Sequence, residues 1–208
     1  MDIPSPRPGD ALLLIDVQRD FIPGGSLPVP SGEQVIGPLN TAIAQFRSQG
    51  LPVYATRDWH PPNHCSFKPH GGMLPSHCVE GSEGAAFPDS LALPPDAIVV
   101  SKGTQAERDA YSGFEGTGLA AMLREAGVTR LFVGGLATDY CVLNTVTDAL
   151  QEGFGVVLLT GAMRGIKLQA GDDEAAIAAM IEHGAVPYSL PPPTTARPRK
   201  GRPLATRR

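Results

Sequence analysis

Cysteine is scarce in this 208-residue chain, which has only Cys65, Cys78 and Cys141. An odd number at unrelated spacings speaks for free thiols in a reducing compartment rather than for a disulfide framework. Long apolar runs are missing too. The start, "MDIPSPRPGD", has no basic n-region, and the "ALLLI" that follows is far too short for a signal core or a membrane span. The chain is therefore expected to be soluble and cytoplasmic, with no membrane partner. Positive charge is short in the body of the chain. The formal charge of −4 includes six cationic side chains in the last twelve residues (Arg197, Arg199, Lys200, Arg202, Arg207 and Arg208), which leaves the remainder at −10. An acidic body argues against a nucleic-acid partner. There is no internal repeat.

What is present is enough apolar material, 42% of residues, to bury one substantial core. Short β-type apolar runs alternate with stretches of helical period. "ALLLID" (11–16), "PVYAT" (52–56), "AIVVS" (97–101), "RLFVGG" (130–135) and "VVLLT" (156–160) read as strands. Helices are expected over 31–50, with Ser31 and Gln34 as a capping box and Gly50 as the stop, and over about 117–126, 139–152 and 172–183. Strands that are apolar throughout need cover on both faces. The expected fold is therefore α/β, a doubly wound, mostly parallel sheet flanked by helices on both faces, forming a single domain over 1–190. Residues 58–95 are rich in Pro, Gly, Ser and His without a sustained period, and a loop of that length inside a compact domain is expected to carry function. Residues 191–208, proline-rich and basic, read as a disordered tail.

In an open parallel sheet, ligands bind outside the carboxyl ends of the strands. Here the first strand ends in Asp16, the second in "RDWH", the third in Ser101 and Lys102, and the fourth in "GGLATDYC". Cys141 then falls in the first turn of a helix, where unpaired backbone N–H groups and a nearby lysine would favour its thiolate. Asp16 follows four apolar residues, so desolvation should raise its pKa toward that of a useful general base. Lys102 would position both groups and balance charge. The amides of Ala137 and Cys141, after the glycine pair, could bind a developing oxyanion. Asp58 and His60, two apart on an extended segment, point to one side. With a third ligand they would make a mixed N/O site with open positions, suited to Zn²⁺, Fe²⁺ or Mn²⁺, and His64 and His77 are the candidates for the third place. His183, near a helix end, reads as a dipole partner.

"LLLIDVQRDFIPGGSLPV", "TRDWHPPNHCSF", "HCVEGSEGAAF", "SKGT" with "AYSGFEGT", and "GLATDYCV" together resemble, in order, the motifs of the nicotinamidase/pyrazinamidase branch of the isochorismatase-like cysteine hydrolases. The resemblance spans about residues 10–188. It implies a triad of Asp16, Lys102 and Cys141, and one divalent metal ion, zinc first with iron or manganese as alternatives, on Asp58, His60 and His77. His64 would lie close to the metal and ligate it only in some relatives. The implied reaction is hydrolysis of the carboxamide of nicotinamide, and of pyrazinamide, through a Cys141 thioester, in NAD salvage, with the substrate ring against Phe21 and Tyr111. A homo-oligomer is compatible with all of this. Two positions depart from the family pattern. Leu74 stands where the family has a tryptophan ahead of its metal histidine, and Cys65 stands where relatives have an aliphatic residue, which suggests packing. The rival readings are a hydrolase of another small amide or carbamoyl compound, a metallohydrolase acting through direct hydroxide attack, and a non-catalytic metal- or ligand-binding module.

Overall fold

A computed structural model describes residues 5–189. The tail expected over 191–208 lies outside the described residues. Six strands, β1 (Asp10–Ile15), β2 (Val53–Asp58), β3 (Ile98–Lys102), β4 (Arg130–Leu136), β5 (Gly155–Arg164) and β6 (Val186–Tyr188), form one sheet in the order β3-β2-β1-β4-β5-β6. Every pairing is parallel. Four α-helices accompany them: α1 (Ile36–Ser48), α2 (Leu119–Glu125), α3 (Leu143–Gln151) and α4 (Asp172–Glu182).

The alternation of side chains along a strand explains why the runs are apolar without a break. In β1 every residue is buried. Leu12 and Leu14 pack with Leu39, Ile43 and Phe46 of α1. Ala11, Leu13 and Ile15 join the opposite cluster with Leu119 and Leu123 of α2, Val146 of α3 and Met180 of α4. At the amino end of the sheet, Arg130 donates from Nε to Asp10 Oδ1 at 2.8 Å and from Nη2 to Oδ2 at 2.6 Å, a bidentate pair between directly opposed residues.

The expected 31–50 helix is shorter than its pattern suggests. Ser31 has φ 57 and makes no side-chain cap, a 3-10 turn covers Gly32–Val35, and α1 runs from Ile36 to Ser48. Pro38 accounts for this, because its missing N–H is tolerated only in a helix's first turn. The stop is as expected, with Gly50 at φ 68. The sixth strand escaped sequence reading because Pro187 sits inside a three-residue run at the sheet edge. His183 caps α4, its Nδ1–H donating to the Ala179 carbonyl at 2.6 Å.

In this order the chain reverses direction across the sheet between β1 and β4, which places the switch point where Asp16 and Cys141 leave neighbouring strands.

Candidate active site and metal centre

The carboxyl edge gathers the residues expected there. The chain turns out of β1 at Asp16, which has φ 48, and the Gln18 N–H donates back to the Asp16 carbonyl at 2.8 Å. A non-glycine residue in the left-handed region is uncommon, and it concentrates at functional sites. The turn buries the Asp16 carboxyl completely. Thr56 donates to its Oδ1 at 2.6 Å. Oδ2 lies 3.0 Å from Lys102 Nζ. Nζ also reaches Asp58 Oδ1 at 2.5 Å, the Ala110 carbonyl at 3.1 Å and Cys141 Sγ at 3.4 Å, so one ammonium is shared among four acceptors. A carboxylate oxygen of Asp16 and the sulfur of Cys141 lie within 4.8 Å of one another. The buried acid therefore stands beside the thiol.

Burial raises the Asp16 carboxyl above the ordinary carboxylate range, against the pull of Lys102, as the sequence led us to expect. Cys141 behaves otherwise. Burial pushes its thiol well above the usual value, and Lys102 only partly offsets this. Desolvation thus outweighs the expected thiolate stabilisation. Burial works against charge on Lys102, but Asp16 and Asp58 outweigh it and hold the ammonium protonated.

Cys141 sits not in the first turn of an α-helix but in a π-type turn, Thr138–Val142, that leads into α3. The Ala137 carbonyl accepts from the amides of Tyr140 at 3.1 Å and Val142 at 3.0 Å. Both carboxylate oxygens of Asp139 take backbone N–H groups, from Ile166 and Lys167, each at 2.9 Å, which fastens the turn to the chain after β5.

Beside this group, Asp58, His60 and His77 bring one ligand atom each within 4.8 Å of one another, all buried. Asp58 divides its carboxylate, with Oδ1 on Lys102 and Oδ2 3.6 Å from His60 Nε2. The Nδ1–H of His60 donates to the Gly103 carbonyl at 2.8 Å, and that of His77 to the Pro75 carbonyl at 2.8 Å. Each histidine so anchored presents its other nitrogen, Nε2, the arrangement that second-sphere carbonyls give to metal-binding imidazoles. Burial favours the neutral form of His77, and burial opposes charge on Asp58, but Lys102 and then His60 outweigh it and keep the carboxylate ionised. The donor set fits a divalent ion. His64 does not join it. Its ring stacks on His60 with centroids 4.1 Å apart, and both nitrogens are taken, Nδ1 by Ser66 Oγ at 2.8 Å and Nε2 by the Arg108 carbonyl at 3.1 Å. Of the two candidates for third ligand, His77 is the one that shares a cluster with Asp58 and His60.

Phe21 is buried with its ring 5.7 Å from that of His77, while Tyr111 is partly exposed against Tyr140 at 5.8 Å. Leu74 is half-buried on a loop segment bridged to Phe67, whose ring packs on His60 and His77. Cys65 belongs to neither cluster. Sequence reading missed three supports. Gln18 is wholly buried against the Asp58 backbone. Asp20 accepts the Cys78 N–H at 2.7 Å and so fixes the chain beside His77. Gly103 has φ +61, and a Cβ there would lie 2.4 Å from His60 Cε1. The only advance signal for the first two was their polar character at alternate positions after Asp16 in "DVQRD".

A buried thiol flanked by an acid and a lysine at the switch point of a parallel sheet places this chain in the α/β cysteine-hydrolase class. Residues 10–191 match the isochorismatase domain. The chain belongs to that family. It is 41% identical over 204 residues to the nicotinamidase of Escherichia coli K12, covering 88% of this chain and 96% of that one. The crystal structure of Pyrococcus horikoshii pyrazinamidase in complex with zinc is 47% identical with a TM-score of 0.84, covering 88% of this chain and all of that one. An L. infantum structure in complex with nicotinate is 38% identical with a TM-score of 0.81, covering 91% and 96%.

Proposed function

We propose that this protein is an amidohydrolase that converts nicotinamide, and also pyrazinamide, to the corresponding acid and ammonia. The observation that carries this reading is the sharing of one buried lysine by two groups. Lys102 contacts Cys141 and Asp16 on one side and the carboxylate of Asp58 on the other, so nucleophile and metal arm form one assembly. A divalent ion, zinc in our reading, held by Asp58, His60 and His77 would supply a Lewis-acid anchor for the ring nitrogen of the substrate.

The remaining chemistry belongs to the protein's own residues. Asp16 takes the thiol proton as Cys141 Sγ attacks the carboxamide carbon. The amides of Ala137 and Cys141 hold the oxyanion. As the intermediate collapses, the carbon–nitrogen bond breaks and Asp16 gives its proton to the departing ammonia. Water then adds to the thioester carbon, passing a proton to Asp16, and collapse expels the sulfur, which recovers that proton as the acid product leaves. Lys102 stays protonated throughout and balances the charge that Asp16 and the sulfur exchange. Phe21 and Tyr111 line the ring position. The nicotinamidase names of the similar chains support a carboxamide substrate over a carbamoyl one; NAD salvage is the role we assign to that reaction, and the free cysteines support a reducing, cytoplasmic setting.

Ammonia release from nicotinamide and pyrazinamide by the purified protein with zinc, iron or manganese tests this. Turnover of both is expected. No release under any of the three metals would overturn the reading in favour of a binding module.

A further inference from the structure

β2 outruns its neighbour. The pairing of β1 with β2 ends at Leu14 and Ala55, while β2 remains paired with β3 as far as Asp58 and Lys102. The last bond across the first pair runs from the Asp16 N–H to the Thr56 carbonyl at 3.3 Å, after which the chain turns away. Asp58, only 5% exposed, would thus face a missing strand with its N–H and its carbonyl both unmet. Buried backbone groups without partners are costly and rare.

The side chain of Gln18 fills the gap. Its Nε2 donates to the Asp58 carbonyl at 2.8 Å, and its Oε1 accepts from the Asp58 N–H at 2.7 Å. The second Nε2 proton goes to the Ala85 carbonyl at 2.9 Å. A primary amide carries the same donor and acceptor as a peptide unit, so Gln18 prolongs β1 by one rung after its backbone has left the sheet. Both amide protons are used and nothing of the residue is exposed. We infer that Gln18 is a positioning residue for the metal arm. It fixes the backbone of Asp58 so that Oδ2 faces His60 while Oδ1 stays on Lys102, and through Ala85 it ties the same point to the long loop. This rests on the metal-binding reading of Asp58, His60 and His77.

The test measures zinc affinity by chelator competition, beside denaturant unfolding, on the full chain, Gln18→Met and Arg130→Met. The second variant breaks the Asp10 pair at the opposite end of the sheet and serves as a control for destabilisation alone. Gln18→Met should weaken zinc binding by about 10- to 100-fold, the usual effect of losing an outer support of a metal ligand. Arg130→Met should lose stability and keep the parental zinc affinity. If Gln18→Met does not fold, Gln18→Asn, which keeps a buried amide but retracts it by one methylene, should show the same direction of change. Parental affinity in the folded Gln18 variant overturns the inference and leaves the metal site standing, whereas a parent chain that binds no zinc overturns both.

Discussion

Lys102 Nζ lies 3.4 Å from Cys141 Sγ, and the lysine side chain has no exposed surface. A cation held this close without water can compensate the negative sulfur that forms when the thiol proton leaves, so the site can tolerate a neutral thiol at rest. Replacing Cys141 by Ala removes the nucleophile and keeps the pocket. Ammonia release should fall by at least about 10³-fold, as when a nucleophile is deleted from a cooperating set, while nicotinate binding persists. Substantial remaining turnover would instead support direct hydroxide attack.

Asp16 must be ionised to accept the thiol proton, and burial raises its carboxyl. Activity should therefore be lost as pH falls through that raised value. The acid limb of kcat/KM should lie above the ordinary carboxylate range of about 4. A limb at or below pH 4, measured with metal occupancy verified at each point, would remove Asp16 from the role of base. Asp16→Asn should lower kcat by about 10²- to 10⁴-fold.

The sheet and the chemistry at its carboxyl edge were legible because both are written locally. An unbroken apolar run ending in a polar residue specifies a strand and its functional end, as at "ALLLID", which is buried throughout, and at "AIVVSK", an edge strand with Ile98 and Val99 exposed. The geometry between those ends was not legible, since it depends on how far each strand runs beside its neighbour. Gln18 illustrates this, because its partner is 40 residues away and exists only where β1 stops short. The state of Cys141 was misjudged for a related reason. A helix start and a lysine are visible in sequence, but burial by surrounding elements is not, and burial is the larger influence. Ser31 looked like a helix cap by type, yet Pro38 moved the start of α1 beyond its reach.

Removal of the buried cation should cost stability as well as activity. Lys102→Met leaves Asp16 and Asp58 without their counter-ion, and breaking a buried pair in this way costs about 3–5 kcal/mol. The pH dependence follows from the shifts. Lys102 is raised, so its contribution is present below its unfolded pKa and lost only as pH rises through the folded value. Asp58 is lowered, so its share is present above about pH 4 and fades as pH falls through the folded value. The stability gap between the parent and Lys102→Met, read from metal-free denaturation, should be wide at pH 7 and should shrink progressively as pH falls from about 4 toward the lowered folded value of Asp58. A gap independent of pH would mean that the charges are not the cause.

The two candidate third ligands separate by metal content. His77→Ala should lose most bound metal after dialysis, because it deletes one of three ligand atoms. His64→Asn should retain close to parental stoichiometry, since both ring nitrogens of His64 are held by Ser66 and Arg108. Elemental analysis of the folded variants decides this. Equal loss in both would place His64 among the ligands.

Gly103 provides a separable steric test of the same centre. Alanine at this position meets two costs, the left-handed backbone at φ +61 and a Cβ 2.4 Å from His60 Cε1. Gly127 has nearly the same backbone, φ +68, with nothing within 4 Å of an added Cβ. Both substitutions should therefore lose about 1–2 kcal/mol from the backbone term. Only Gly103→Ala should in addition push the His60 ring off its anchoring carbonyl, weakening metal binding by about 10- to 100-fold. Denaturant unfolding and chelator competition on the pair measure the two effects independently. Unequal stability loss with equal metal affinity would show that the strain at Gly103 is absorbed elsewhere and that His60 does not depend on this close approach.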